Sequence, residues 1–309
     1  MPTVHAVVVA YNRRDLLIEG LTGITGQTRP ADVIHVIDNA STDGTAEMVR
    51  ERFPHVRLHE LPSNTGGAGG FAAGLAFALA DGSDLVWLMD DDTVPRPDAL
   101  QALLDIAERY EGTPPALLAS RVVWTDGRDH PMNSPRSKPG VSADERRAAL
   151  AVGCQPVRSA SFVSVLVESA AVREVGLPEA AFFLWNDDFE FTTRLLRHRR
   201  GLVCPASVVE HRTRTFGASE TDPGERFYFE VRNKVWTFTR SDGLSPREKA
   251  WYGGSTLRRW TRTFAASNRR SVLLSGLRHG LLDGVRRGPR PSSAVLAEAG
   301  VDIVDPGAT

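Results

Sequence analysis

The chain has 309 residues, with 37 Lys+Arg against 38 Asp+Glu for a formal net charge of -1, 41% hydrophobic residues and 24% charged residues. These proportions exclude a disordered chain, which lacks the apolar residues to build a core, and the two cysteines, Cys154 and Cys204, exclude a disulfide scaffold and a four-thiolate zinc site. The balance is a sum over unlike regions: residues 240–290 carry a net +9, residues 291–309 a net -3 and residues 1–239 a net -7, so a basic arm suited to an anionic partner follows an acidic body.

Residues 5–10 (His-Ala-Val-Val-Val-Ala) are a β-branched run, the pattern of a strand buried on both faces. The opening Met1-Pro2-Thr3-Val4-His5 has no basic start and its apolar run ends at Ala10, so it reads as a first strand and not as a signal peptide. No segment reaches the roughly 20 apolar residues that span a bilayer. The expected compartment is the cytoplasm, in keeping with the scarcity of cysteine.

Tyr11 to Asp15 break the first strand, and a helix follows through Leu16, Leu17 and Leu21. Residues 33–37 form a second strand ending at Asp38-Asn39, and Ser41 to Thr45 are turn and cap chemistry for a helix over 46–52. A short strand over 56–61, a small-residue helix over 69–80 and a fourth strand over 85–89 come next. A helix over 97–110 and a strand over 116–124 complete this part. The alternation predicts an α/β fold with a mostly parallel sheet and helices on both faces. Residues 126–144 are rich in Pro, Ser, Gly and Arg without periodicity and read as a long functional loop. A strand over 161–167, a helix over 187–199 and helical spacing of Phe227, Val231, Val235 and Phe238 follow.

Five places carry chemistry. Asp90-Asp91-Asp92 end the apolar strand Leu-Val-Trp-Leu-Met, and ligands of open α/β sheets bind at the carboxyl ends of strands. Adjacent carboxylates repel, and a hard cation such as Mg²⁺ or Mn²⁺ relieves that cost. A solvated acidic turn is the plainer alternative. Asp38 also ends an apolar strand, where it suits a ribose hydroxyl or a base N–H as well as a helix-capping turn. Gly66-Gly67-Ala68-Gly69-Gly70 lets backbone approach a ligand. That segment also matches the dinucleotide pattern G-x-G-x-x-G/A, but it follows the third strand and not the first, which disfavours a nicotinamide oxidoreductase. Finally, Trp185-Asn186-Asp187-Asp188 sets two carboxylates beside an indole, and a partly desolvated carboxylate is a general-base candidate. His211, after Val208-Val209-Glu210, stands at another strand end as a candidate third ligand.

Taken in order, Val-Val-Val-Ala-Tyr-Asn-Arg, Val-Ile-Asp-Asn-Ala-Ser-Thr-Asp-Gly-Thr, Asn64-Thr-Gly-Gly-Ala-Gly-Gly-Phe71, Trp-Leu-Met-Asp-Asp-Asp, Trp-Asn-Asp-Asp-Phe-Glu and the later His resemble a family 2 glycosyltransferase of the GT-A fold. The glycine segment with the triple aspartate is most similar to the bacterial galactofuranosyltransferases, with rhamnosyltransferases using dTDP-rhamnose close behind. The resemblance covers about residues 4–215. It implies an inverting, Mn²⁺- or Mg²⁺-dependent transfer from a nucleotide sugar, with UDP-galactofuranose as the donor, to a lipid-linked or cell-surface glycan. It implies nucleotide-sugar contacts from Tyr11, Arg13, Asp38, Asn64, Gly67, Asp90 and Asp91, and metal ligation by Asp90, Asp92 and His211. Asp188 is implied as the base, Asp187 as its alternative, and Trp185 as an acceptor-stacking ring. A nucleotide-sugar-binding protein without turnover is the alternative from another class.

The expected division is a catalytic domain over 1–239, with a nucleotide-sugar half over 1–125 and an acceptor half over 126–239, and a basic, mainly helical region over 240–309. In that region Trp251, Tyr252, Leu257, Trp260 and Phe264 interleave with Arg258, Arg259 and Arg262, as in a helix lying on a membrane surface, and Leu273, Leu274, Leu277, Leu281 and Leu282 continue the apolar face. Packing of this helix on the catalytic domain is an equal expectation. Nucleic acid is not an expected partner, since no recognised module accompanies the charge.

Overall fold

A computed structural model describes residues 1–217 and 222–306. The first strand, β1 (Val4–Ala10), is buried along its whole length. Its alternate residues serve two cores: Val4, Ala6, Val8 and Ala10 face one, and Val7 and Val9 face the other. Helices α1 (Arg14–Thr25), α2 (Thr45–Arg52) and α4 (Ala99–Arg109) close the first core, through Leu17, Leu21, Val49 and Leu103. Helix α3 (Gly66–Ala80) closes the second. Burial on both faces is why β1 and β4 (Leu85–Asp90) read as continuous apolar runs.

Strands β2 (Val33–Asp38), β3 (Arg57–Glu60) and β4 join β1 in parallel, in the order β3-β2-β1-β4. The sheet continues through β9 (Ser164–Glu168), β6 (Leu117–Val123), β10 (Gly201–His211), β8 (Gln155–Ser159) and β7 (Arg136–Ser137). Strand β9 runs antiparallel to both β4 and β6, and β6 pairs in parallel with β10. The short β5 (Thr93–Pro95) pairs antiparallel with β10. Helices α6 (Ser169–Val175) and α7 (Asp187–Leu195) cover the α3 face.

Residues 126–144 are not one irregular loop. They hold a helical turn over Pro131–Asn133, the strand β7 and the start of α5 (Ala143–Ala151), whose N-cap Ser142 accepts a hydrogen bond from Glu145 N–H.

After α8 (Phe227–Thr239), the chain forms α9 (Pro246–Ala266), α10 (Arg270–Arg286) and α11 (Ser292–Glu298). Ser245 and Glu248 cap α9 reciprocally. The apolar residues of this region fall on two sides. Tyr252, Trp260, Phe264, Leu273 and Leu277 pack inward on Phe189, Phe227 and Val231. Trp251, Leu257, Leu274, Leu281 and Leu282 are exposed. A single interfacial face does not hold both groups. Leu296 of α11 is fully buried in the α3 core. Among the described residues, no helix is long and apolar enough to cross a membrane.

Candidate active site

The chemistry-bearing residues converge on the carboxyl edge of the sheet. Registers place Ala10 beside Asp38 and Val9 beside Asp90, so the loops after β1, β2 and β4 emerge together. The β5–β10 pairing sets Thr93 opposite His211, and this carries Asp92 to the histidine. Ligand atoms of Asp90, Asp92 and His211 all lie within 4.8 Å of one another.

His211 Nε2 is 3.0 Å from Asp92 Oδ1. Its Nδ1 is 2.8 Å from Asn133 Oδ1, and since an amide oxygen only accepts, Nδ1 carries the proton. Nε2 is thereby aimed at the carboxylates. Asp92 Oδ1 is fully buried and has no aligned hydrogen-bond donor. Two neighbouring carboxylates beside an oriented imidazole nitrogen are a donor set that fits a divalent cation. Burial, then the charge of Asp92, raises the Asp90 carboxyl to about 6. Burial also acts to raise Asp92, but the adjoining His211 and Arg13 more than offset it and hold that carboxyl below its ordinary range.

Asp91 points elsewhere. Burial raises it to about 7. One oxygen accepts from Tyr11 N–H at 3.0 Å and the other lies 3.4 Å from Arg13 Nη1, which also pairs with Asp92. Asp91 thus fixes the loop after β1, and Tyr11 itself is 45% exposed.

Asp38 is buried and accepts from Ser41 N–H at 3.1 Å, which closes the turn after β2 without capping α2, a helix with no side-chain cap hydrogen bond. Its neighbour Asn39 ties two loops: Nδ2 donates to Gly66 O at 2.8 Å, and Oδ1 accepts from Thr65 N–H at 2.8 Å. Asn64 accepts from Gly66 N–H at 2.8 Å. The glycines have separate reasons. A Cβ at Gly70 or Gly74 would strike Val9 or Val7 of β1 at 2.5 and 2.3 Å, and one at Gly66, where φ is +72°, would strike the Phe183 carbonyl. Gly67 alone of the Gly66-to-Gly70 run faces open space. Close packing on β1 thus accounts for Gly70, one of the three glycines of the segment that mimics a dinucleotide fingerprint, while Gly69 lies against Thr65 and Gly67 faces open space.

The second carboxylate pair sits on a strained loop. Phe183, Trp185 and Asn186 have φ of 61°, 66° and 67°, a region that side chains disfavour. Helix α8 holds them there. Asn233, fully buried, places Nδ2 within 3.0 Å of the Phe182, Leu184 and Trp185 carbonyls. Arg232 donates to the Ala181 and Phe182 carbonyls at 2.8 and 2.9 Å. Asn186 Nδ2 donates to Glu230 at 2.9 Å.

Asp187 is buried, and burial and the neighbouring Asp188 push its carboxyl well up. Asp188 is half-buried; burial raises it too, against the opposing charges of Lys234 and Arg136. The charge of Asp90 is felt at Asp187 and that of Asp188 at Asp90, so the two carboxylate groups lie near one another. Lys234, with Nζ 4.1 Å from the Phe189 ring centroid, is pushed down to about 8 by burial.

Sequence reasoning missed Asn133, Asn39, Asn233, Glu230 and Lys234. Asn133 lies in the aperiodic stretch, and the last three sit in an ordinary helical pattern. Asn39, next to Asp38 at a strand tip, and Asn133, within the loop over 126–144, stood in segments already singled out.

A sheet of this topology, with an acidic cluster and a histidine at its carboxyl edge, defines a glycosyltransferase of the GT-A fold. Residues 5–153 match the family model "Glycosyl transferase family 2". The galactofuranosyltransferase GlfT1 of Mycobacterium tuberculosis is 32% identical over 262 residues, covering 77% of this chain and 83% of that protein. The chain belongs to glycosyl transferase family 2. The N-acetylglucosaminyl-diphospho-decaprenol L-rhamnosyltransferase of M. tuberculosis is 27% identical over 244 residues, covering 68% of this chain and 76% of that protein. Among solved structures, S. aureus TarS 1-349 in complex with UDP-GlcNAc aligns with a TM-score of 0.62 at 16% identity, over 96% of this chain and 87% of that one. The mannosyltransferase PcManGT from Pyrobaculum calidifontis, in complex with GDP-Man and Mn²⁺, aligns with a TM-score of 0.54 at 19% identity, over 97% and 79%.

Proposed function

We propose that this glycosyltransferase moves galactofuranose from UDP-galactofuranose to a lipid-linked or cell-surface glycan, with inversion at the anomeric carbon. The convergence of Asp90, Asp92 and His211 opposite the Asp187–Asp188 pair carries this reading. The kinship with a galactofuranosyltransferase supports the donor. Asp38, Arg13, Tyr11, Asn64 and the open Gly67 backbone hold the nucleotide, and Asp91 acts through Tyr11 and Arg13. Asp90 serves the ribose and, with Asp92 and His211, a divalent cation, Mn²⁺ or Mg²⁺. When bound, that cation neutralises charge on the leaving diphosphate.

Asp188 takes the proton from the acceptor hydroxyl as its oxygen bonds to the anomeric carbon, and the bond from that carbon to the diphosphate oxygen breaks. The half-buried carboxylate is reachable by an acceptor, which favours it over the buried Asp187. General-base assistance of this kind contributes roughly 10²–10⁴ in rate. Trp185 stacks on a sugar ring of the acceptor. Residues 1–125 serve the donor, residues 126–239 the acceptor. The basic region 240–290 lies peripherally on the inner face of the plasma membrane, with Trp251 and Leu257 as its apolar contacts.

The test is a panel of UDP-, dTDP- and GDP-sugars, with and without Mn²⁺, read as release of nucleoside diphosphate. Preference for UDP-galactofuranose is expected. Preference for dTDP-rhamnose, the reading favoured by the rhamnosyltransferase relative, would overturn the donor and leave the site intact. Consumption of no donor would restore a binding protein without turnover.

A further inference from the structure

The opposite end of the sheet carries a second cluster that glycosyl transfer does not use. His5, the second residue of β1, and His35 of β2 are buried, at 1% and 0% exposure. His5 Nδ1 lies 3.1 Å from His35 Nε2, and that same Nε2 lies 3.6 Å from Asp81 Oδ2. Asp81 follows the last residue of α3. Ligand atoms of all three lie within 4.8 Å of one another. On its far side, His35 Nδ1 lies 3.0 Å from His59 Nε2 on β3, and the His59 ring stacks on Phe77 of α3 with centroids 4.3 Å apart.

We propose that His5, His35 and Asp81 form a binding site for a divalent transition-metal ion, Zn²⁺ by preference. Two imidazole nitrogens with one carboxylate oxygen are a zinc donor set, and three protein ligands leave a fourth position for water. Two tetrahedral ligands at about 2.0–2.1 Å from zinc stand about 3.3 Å apart, a spacing bracketed by the 3.1 and 3.6 Å pairs. The protons fit as well. His35 binds through Nε2 while Nδ1–H donates to His59, the outer partner that a ligating histidine ordinarily has. His5 binds through Nδ1 by moving its ring proton to Nε2, with no change of charge.

Arg57 competes for the site. Its guanidinium pairs with Asp81, and its side chain is 52% exposed and free to swing into solvent. Asp81, at 37% side-chain exposure, is the way in. The bound ion would join β1, β2 and the end of α3 at the edge away from catalysis.

The experiment is titration of the full chain with Co²⁺, a spectroscopic stand-in for Zn²⁺, in excess Mg²⁺ to fill oxygen sites. The wild type should develop the absorption of tetrahedral cobalt. Asp92→Asn should keep it and His35→Gln should lose it. His59→Phe should weaken binding roughly 10–100-fold, Asp81→Asn should weaken it, and Arg57→Ala should tighten it. Circular dichroism of each variant checks folding, and the surface changes at Asp81 and Arg57 decide the matter if His35→Gln fails to fold. No tetrahedral band in the wild type, a band lost in Asp92→Asn, or one indifferent to Asp81 and Arg57 overturns the site.

Discussion

Asn133 Oδ1 accepts a hydrogen bond from His211 Nδ1 at 2.8 Å and so dictates which imidazole nitrogen faces Asp92. Asn133→Ala leaves the ring free to take the other tautomer or turn. The Mn²⁺ concentration for half-maximal release of nucleoside diphosphate should rise about 10–100-fold. The rate at saturating Mn²⁺ should change far less. A fall in that rate with an unmoved Mn²⁺ midpoint would count against the ligand role of His211.

Asp188→Asn should retain donor binding and lose turnover by roughly 10²–10⁴. Asp187→Asn should cost less in rate, because its carboxyl is buried and burial together with the neighbouring Asp188 disfavours its charged form. Donor titration alongside single-turnover kinetics separates the two. Full activity of Asp188→Asn would move the base to Asp187.

Asn233→Ala removes the donor that serves the Phe182, Leu184 and Trp185 carbonyls. Arg232 still serves the Phe182 carbonyl, and the Leu184 and Trp185 carbonyls left unpaired cost about 1–3 kcal/mol each. The loop bearing Trp185 and Asp187 should then relax from its left-handed backbone. Expected outcomes are a lower urea midpoint and a fall in turnover larger than the change in donor affinity. Unchanged turnover in a folded variant would show that the loop keeps its shape without this residue.

Glu248 gives a pH prediction with a definite sign. It faces Arg158 Nε at 2.6 Å, Arg197 Nη1 at 3.4 Å and the Ser245 N–H at 2.8 Å. Burial acts to raise its carboxyl, yet the bonds from Arg158 and Ser245 hold it at about 2 against an ordinary 4.5. A depressed acid stabilises the fold fully above its unfolded value and loses that contribution as pH falls through the folded one. Stability should therefore decline between pH 4.5 and about 2. Glu248→Gln should flatten this slope and cost about 1–3 kcal/mol at neutral pH. Denaturant melts across that window, wild type against variant, check it; equal slopes refute it.

The peripheral contact is testable without truncation, which Leu273 and Leu296 forbid because both are fully buried. Trp251 and Leu257, at 78% and 61% exposure, are the points to change. Burying each in a bilayer surface is worth about 1.5–3 kcal/mol. Trp251→Glu with Leu257→Glu should cut co-sedimentation with anionic vesicles by roughly tenfold or more and leave donor binding alone. Equal sedimentation would assign the exposed face to something other than lipid.

Much of this was legible because buried parallel strands announce themselves. The runs of β1 and β4 and the aspartates at the β4 tip could be read directly, as could the nucleating turns after β1 and β2. An apolar run carries no direction, so the antiparallel insertion of β9 could not be read. Nor could β5, β7 or β8, which are too short or too polar for a period. Yet β5 is what delivers Asp92 to His211. Asn133 and Asn233 are single polar residues whose roles exist only through partners 78 and 48–51 positions away. The aromatic arm looked like one interfacial face because its inward and outward residues alternate along the chain, and only packing tells them apart.

The Ser292 hydroxyl bridges Pro178 and Ala180, donating to the Pro178 carbonyl at 2.7 Å and accepting from the Ala180 N–H at 2.9 Å. A ribosome synthesises the aspartates of the cleft long before it delivers this serine. The turn that leads into Trp185 therefore waits, during synthesis, for a residue 112 positions downstream. Nascent chains stalled before Ser292 should hold a formed β1–β4 sheet with the loop around Trp185 unset, and turnover should arrive late and all at once.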